Sequence, residues 1–356
     1  MRGRIGIFYS SYFEPPPPGP TAVALAHSGF PFVTVYSFDN GFVSKYADSA
    51  VVPVSNSTGR AVGFTPTNDA LILNHYEGDI GSIRISAWAW SNSTGFGTKY
   101  SNPSTPVMGF NFSASINPTG NAIAITDYSD PKVYAYPWSS STGFGTKYAN
   151  PSSVAAGSGF ACQFSPDNLA IGLGTSSTPF ANAYGWSDAT GFGTKYSNPA
   201  TLPAGGIQGI RWNSTSTVVG MGHSSFPFIT TYQWSSATGF GTNYSNPAST
   251  VGSTGRGLSF TPSSNAVVLG SFSSPRIHGY QWSDATGFGT KYSNPATLPA
   301  GDTKNVVFTP SGNGVFAAHE TTPFITAYPW SSGFGTKYAN PATLPGGNGQ
   351  NVSSGF

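Results

Sequence analysis

The stretch WSDATGFGTKYSNPATLP occurs twice without a single change, from Trp186 and from Trp282, and close variants of it recur along the chain. Aligned on the first glycine of Gly-Phe-Gly, copies fall at Gly95, Gly143, Gly191, Gly239, Gly287 and Gly333, with a degenerate copy, NGFVSKY, at Gly41. Successive spacings are 54, 48, 48, 48, 48 and 46 residues. Self-similarity at about forty to fifty residues is the period of one propeller blade, and it overrides any domain count taken from the length of 356 residues.

Each unit reads as four short extended segments. In the unit that starts at Gly206 these are GIRW, STVVGMGH, FITTYQW with period two, and GTNYSN, and none has helical periodicity. Between the first two segments lie turns such as TPSSN at Thr261 and TPSGN at Thr309. Between the third and fourth, SSATGFG supplies a glycine that can take positive φ. The fourth segment ends in Asn-Pro, as at Asn198 and Pro199, and proline suits a sheet edge because it has no ladder donor to lose.

A four-stranded antiparallel sheet repeated seven times covers both its faces only by stacking on its neighbours, and a closed ring does so without exposed end units. The expected fold is therefore all-β, a seven-bladed β-propeller occupying residues 1–356 as one domain, with the Pro-rich run 14–20 as an insertion in the first blade. Trp90, Trp138, Trp186, Trp234, Trp282 and Trp330 precede the third hairpin turn of their blades, with Phe38 in the first, and an aromatic two residues earlier shares the same strand face. These rings are expected to pack blade on blade, with a stacking platform for ligand rings as the alternative.

Composition fits a packed fold. Only 8% of residues are charged, but 15% are aromatic and β-branched residues are plentiful, which separates the chain from disordered sequences rich in Gly, Ser, Asn and Pro. A net charge of +2 gives no basis for a nucleic-acid or membrane surface. The single cysteine, Cys162, cannot form an internal disulfide and reads as a small buried hydrophobe. No stretch approaches a membrane span, and the patch after Arg2 and Arg4 is too short and polar for a signal peptide, so exit by lysis or assembly is expected for any extracellular role.

The unit resembles the tryptophan-aspartate repeat propellers, which also carry a Trp near the end of the third strand. Here Ser139 and Ser187 follow that Trp in place of Asp, and no Gly-His pair opens the units, so that family's hydrogen-bond tetrad is not carried over. More narrowly, YPWSS, GFGTKYANPATLP and FTPSGN resemble propeller repeats encoded by tailed bacteriophages. That resemblance implies a virion location, with other virion proteins as partners.

Two segments compete for the strand that closes the ring. GRIGIF at Gly3 aligns with GRAVGF at Gly59, and the tail GNGQNV at Gly347 aligns with GDTKNV at Gly301. Ile5 and Ile7 favour the N-terminal segment.

Two columns of polar residues stand out. His27, His75, His223 and His319 fall in register at the end of the second strand, with Asp127, Thr175 and Ser271 in the same column. They read as side chains fastening the next turn, or as a symmetric binding ring; metal binding is not expected, since equivalent positions on different blades are too far apart to share one ion. Lys45, Lys99, Lys147, Lys195, Lys291 and Lys337 form the second column, expected to block edge pairing on the outermost strand or to present a cationic rim.

No pair of carboxylates recurs with acid–base spacing, and no phosphate loop or cofactor motif is present. The expected function is a non-enzymatic interaction module without cofactor, a phage decoration, tail or fibre-associated protein for assembly or host attachment, with an oligomer within its assembly left open. A lectin-like propeller gripping a host-surface glycan at several equal sites is the alternative, and a hydrolase or lyase on one ring face the third reading.

Overall fold

The computed structural model describes residues 21–53, 57–77, 85–107, 109–110 and 112–355. Among these the chain forms seven antiparallel sheets and no α-helix, a seven-bladed propeller. The strands follow the segments read from the sequence: blade five is Ile207–Trp212, Val218–His223, Ile229–Ser235 and Gly239–Asn243, innermost to outermost. Blade seven has three strands, Thr303–Phe308, Gly314–His319 and Ile325–Pro329, and its fourth is reduced to one bridge between Trp330 and Phe334. This last repeat is two residues shorter than the 48-residue unit, and it is in its hairpin turn, SSGFG, that residues are missing.

Ring closure departs from the sequence expectation. The tail strand Gly349–Ser354 takes the place expected of the other segment and pairs antiparallel with Thr21–His27, Leu25 standing opposite Val352. Strand propensity favoured Ile5 and Ile7, but context decides. Val352 is buried at 1% exposure, and Asn351 Oδ1 accepts the Val62 N–H of blade two at 3.1 Å, so the tail joins the ring to both neighbours. The Gly3 segment and the Pro-rich run 14–20 lie outside the described residues.

The second strands are buried along almost their whole length, because both faces of each inner sheet are covered by adjacent blades. The copied outer hairpin is the junction between blades. Trp186 touches Tyr148 of the preceding blade at 5.2 Å and Phe164 and Phe192 of its own at 4.7 and 5.4 Å, all edge-on, and the same arrangement recurs at Trp282 and Trp330. Tyrosine hydroxyls reach across as well: Tyr148 donates to Asp188 O at 2.6 Å and Tyr184 to Ser153 O at 2.9 Å. The turn glycine is required at this junction. Gly191 has φ +82°, and a Cβ there would lie 2.8 Å from the Tyr148 ring.

The difference between WSDATGFG and WSSATGFG becomes meaningful at these junctions. Asp188 accepts from Trp186 Nε1 at 2.8 Å and, across the blade boundary, from Asn117 Nδ2 at 2.9 Å and Thr119 Oγ1 at 3.0 Å. Asp284 accepts from Asn213 and Thr217 in the same way. Where the turn carries serine, the carboxylate stands on the other side: Ser140 donates to Asp69 at 2.8 Å and Ser236 to Asp167 at 2.5 Å. Each of these four junctions thus has one carboxylate and a donor opposite it. Burial alone would raise the Asp188 pKa, but the bonds from Trp186, Asn168 and Thr119 outweigh it and hold the carboxyl below the usual range.

This complementarity predicts a double-mutant result. Asp188→Ser should cost about 1–3 kcal/mol in urea unfolding, since Trp186, Asn117 and Thr119 lose their acceptor. Adding Thr119→Asp, which rebuilds the arrangement of Asp167 with Ser236, should recover part of that loss, whereas Thr119→Asp alone should destabilise by setting two carboxylates together. Simple additivity of the two substitutions would show that the pairs do not couple.

Candidate functional site

The inner strands run around a central channel with their free edges toward one another, and a free edge leaves N–H groups in need of acceptors. Side chains from adjacent strands supply them. Gln163 Oε1 accepts the Trp212 N–H at 3.0 Å, Ser115 Oγ the Phe164 N–H at 3.1 Å, and Ser259 Oγ the Phe308 N–H at 3.3 Å. Close approach requires small residues: a Cβ on Gly257 would meet Asn305 Nδ2 at 2.4 Å.

At the end of the channel where the inner strands begin, one residue of each blade faces the axis. Around the ring these are Gln350, Arg60, Phe112, Phe160, Gln208, Arg256 and Lys304. They enclose a cavity of about 320 Å³, and beneath it a narrower space of about 100 Å³ has Arg211 and Asn351 among its walls. The outer hairpins are near-copies, but these seven positions are two phenyls, two amides and three cations.

Cations outnumber carboxylates here, with Glu320 and Asp302 acting on Arg256 from a distance. Lys304 pairs with Glu320 at 2.6 Å. Arg256 donates from Nη1 to Gln208 Oε1 and lies over the Phe272 ring at 3.9 Å, while Arg60 stands 5.9 Å from the Phe112 centroid. Among the described residues no carboxylate lies within ion-pair distance of Arg60, Arg211 or Arg256, and the Nε atoms of Arg60 and Arg256 are buried without an acceptor. Desolvation lowers the pKa of all three guanidinium groups, that of Arg256 to about 10.

The residues singled out from the sequence lie elsewhere. His27, His75, Asp127, His223 and His319 do stand at this end of the blades, but inside them, at 0–1% exposure, and none offers a side-chain atom to a ligand in this conformation. Nε2 of His27, His223 and His319 meets the hydroxyl of Thr34, Thr230 and Thr326 at 2.9, 2.9 and 2.8 Å, and that of His75 meets Ser86 at 3.1 Å. In blade six the pair is inverted, with Ser271 on the second strand and His278 on the third, 3.0 Å apart. Asp127 accepts from the Ser129 and Gly109 N–H groups at 2.7 and 3.0 Å and so ties two loops together. Trp90, Trp138, Trp186, Trp234, Trp282 and Trp330 are 3–6% exposed and pack within the blades and across their junctions. Cys162 is buried, and burial pushes its thiol up to about 12.

The lysine column has a local task. The ammonium groups of Lys99, Lys147 and Lys337 contact the Asn of their own Asn-Pro exit, three residues on, at 2.7, 2.6 and 2.5 Å, and Lys45 contacts Asp48 at 2.6 Å. Among the described residues no three His, Cys, Asp or Glu side chains come together in a way that could hold a metal.

The channel ring was missed in the sequence because it is a column of differences. The signal was nevertheless present: counting back 26 residues from the hairpin tryptophan lands on Phe112, Phe160, Gln208, Arg256 and Lys304, and 30 residues back from Trp90, in a unit four residues longer, lands on Arg60; unlike residues at one register position of a copied unit mark where the copies have diverged.

No protein-family model matches the chain, and no curated protein matches it. Among solved structures it is similar to a candidate 6-phosphogluconolactonase of Bacteroides uniformis, with a TM-score of 0.72 at 11% identity over 95% of this chain and 100% of that one. It is also similar to the periplasmic gluconolactonase of Pseudomonas aeruginosa, with a TM-score of 0.69 at 13% identity over 94% and 99% of the two chains. A chain of the mitotic checkpoint complex aligns with a TM-score of 0.58 at 13% identity over 84% of each. At such identities the likeness is one of architecture, and what it establishes is the seven-bladed propeller fold shared by lactonase-type and tryptophan-aspartate-type rings.

Proposed function

We propose that this propeller is a non-enzymatic interaction module that docks its partner on the ring face where the inner strands begin, with the channel mouth as the specific contact. The observation that carries this reading is the divergence of the seven axial residues on a scaffold whose outer hairpins are copied. Seven unlike groups around one axis suit a single central site, whereas a lectin with equal sites on every blade would keep its contacts alike. The resemblance of the repeats to phage-encoded propellers supports a virion setting, in assembly or in host attachment.

Binding is favoured over catalysis by the chemistry at the mouth. Its described walls offer guanidinium, ammonium, amide and phenyl groups, but no imidazole or carboxylate positioned for proton transfer to a bound substrate. The lactonases among the similar structures define the test of that distinction. The purified protein should not accelerate hydrolysis of gluconolactone or 6-phosphogluconolactone, and Arg60→Gln with Arg256→Gln should lower its attachment to virions or host cells at unchanged melting temperature. Turnover abolished by those substitutions would replace this reading with an enzymatic one.

A further inference from the structure

We infer that the channel mouth binds one acidic monosaccharide unit, its carboxylate or phosphate held by Arg60 and Arg256 and its ring lying against Phe112 and Phe160. This rests on the reading of the mouth as the docking site and names the chemistry it recognises.

Four cations face the two connected spaces on the axis, Arg60, Arg211, Arg256 and Lys304, and only Lys304 has a carboxylate at ion-pair distance among the described residues. All three guanidinium groups are half-buried, and Glu320 and Asp302 act on Arg256 only from beyond ion-pair distance, so a bound anion would supply a counter-charge at closer range. The planar fork of arginine suits the paired oxygens of a carboxylate or a phosphate. Arg256 is already oriented for such a partner: the Phe272 face and the Gln208 amide fix its plane, and its Nε has no acceptor.

The rest of the wall specifies more than a bare anion. Phe112 and Phe160 meet edge to face at 5.1 Å, and Phe112 keeps 36% of its surface exposed. Apolar surface beside convergent polar groups is the composition of a small-molecule site, not of a simple ion well. The amides of Gln208 and Gln350 offer both donors and acceptors, as a polyhydroxylated ligand requires. A cavity of about 320 Å³ lies at the low end of the range for small-molecule pockets, which fits one sugar unit better than an extended chain.

Titration calorimetry at low salt with four probes tests this: glucuronate, glucose 6-phosphate, glucose and inorganic phosphate. At least one acidic sugar should bind with one-to-one stoichiometry, at least tenfold more tightly than both glucose and phosphate, and which of the two binds identifies the acid group. Arg256→Gln and Phe160→Ala should each weaken that binding tenfold or more at unchanged melting temperature, and Lys195→Gln, on an outer strand, should leave it intact. Failure of both acidic sugars to bind, or phosphate binding as tightly as either, overturns the inference. Attachment of the same variants separates the two readings. Lost attachment without any sugar binding removes the inference and keeps the docking face; sugar binding with attachment fully retained keeps the inference and removes the docking face.

Discussion

Trp186→Ala, and equally Trp282→Ala, should lower stability by about 3–5 kcal/mol, the range for emptying a buried large aromatic site. Trp186 is 5% exposed, and its ring is held edge-on by Tyr148, Phe164 and Phe192. Tyr148 belongs to the preceding blade, so the cavity would open at a junction whose two sides are separate sheets. The loss goes beyond volume, because Nε1 bonds Asp188 and that carboxylate also receives Asn117 and Thr119. Trp186→Phe should cost less by keeping most of the ring contacts; its own cost measures the Asp188 bond together with the lost second ring, and the further loss in the alanine variant measures the remaining ring contacts. Urea unfolding followed by circular dichroism gives both values. An alanine variant that keeps its melting temperature but loses attachment would move these rings from core to binding surface.

The legible part of this molecule was the part that repeats. Trp186 and Tyr184, the Gly191 turn and the Asn198–Pro199 exit recur in register, so strand order, hairpin positions and blade count could be read from spacing alone. What did not repeat was harder to read. The ring-closing strand depends on which segment fills the place opposite Leu25, where Val352 stands, and local strand propensity carries no information about that long-range contact. The axial site was obscured for the opposite reason. Regularity drew attention to His27, His75, His223 and His319, yet residues conserved among blades are those every blade needs for its own packing. Arg60, Phe112, Gln208 and Arg256 share a register position but no chemistry, and an argument from sameness passes over them. In a repeat protein the function is more readily sought where equivalent positions disagree.

The buried histidines should make the propeller labile in mild acid, well above the pH at which carboxylates titrate. Burial lowers the pKa of His27, His223, His278 and His319 from 6.5 to about 4. Nε2 of each meets a hydroxyl inside its blade, where an imidazolium would be stripped of water. The sign follows from proton uptake. Between these values the unfolded chain binds protons that the native state refuses, so the stability contributed by neutral histidine is complete above pH 6.5 and is lost as pH falls toward 4. At pH 5 each histidine should cost about 2 kcal/mol, and four together approach the roughly 5–15 kcal/mol that holds a typical domain folded. Asp69 and Asp188 act in a lower window. Their pKa values are held down, so their contribution is intact above the usual carboxylate range and is lost only below about pH 4. Melting temperatures measured from pH 8 to pH 4.5 should therefore fall steeply below about pH 6.5. His278→Asn, which keeps a polar group opposite Ser271, should flatten that slope by one histidine's share even if it lowers stability at pH 8. A melting temperature independent of pH down to 4.5 would mean that these imidazoles accept protons within the fold, and the blades would then have to open to water at their histidines without unfolding.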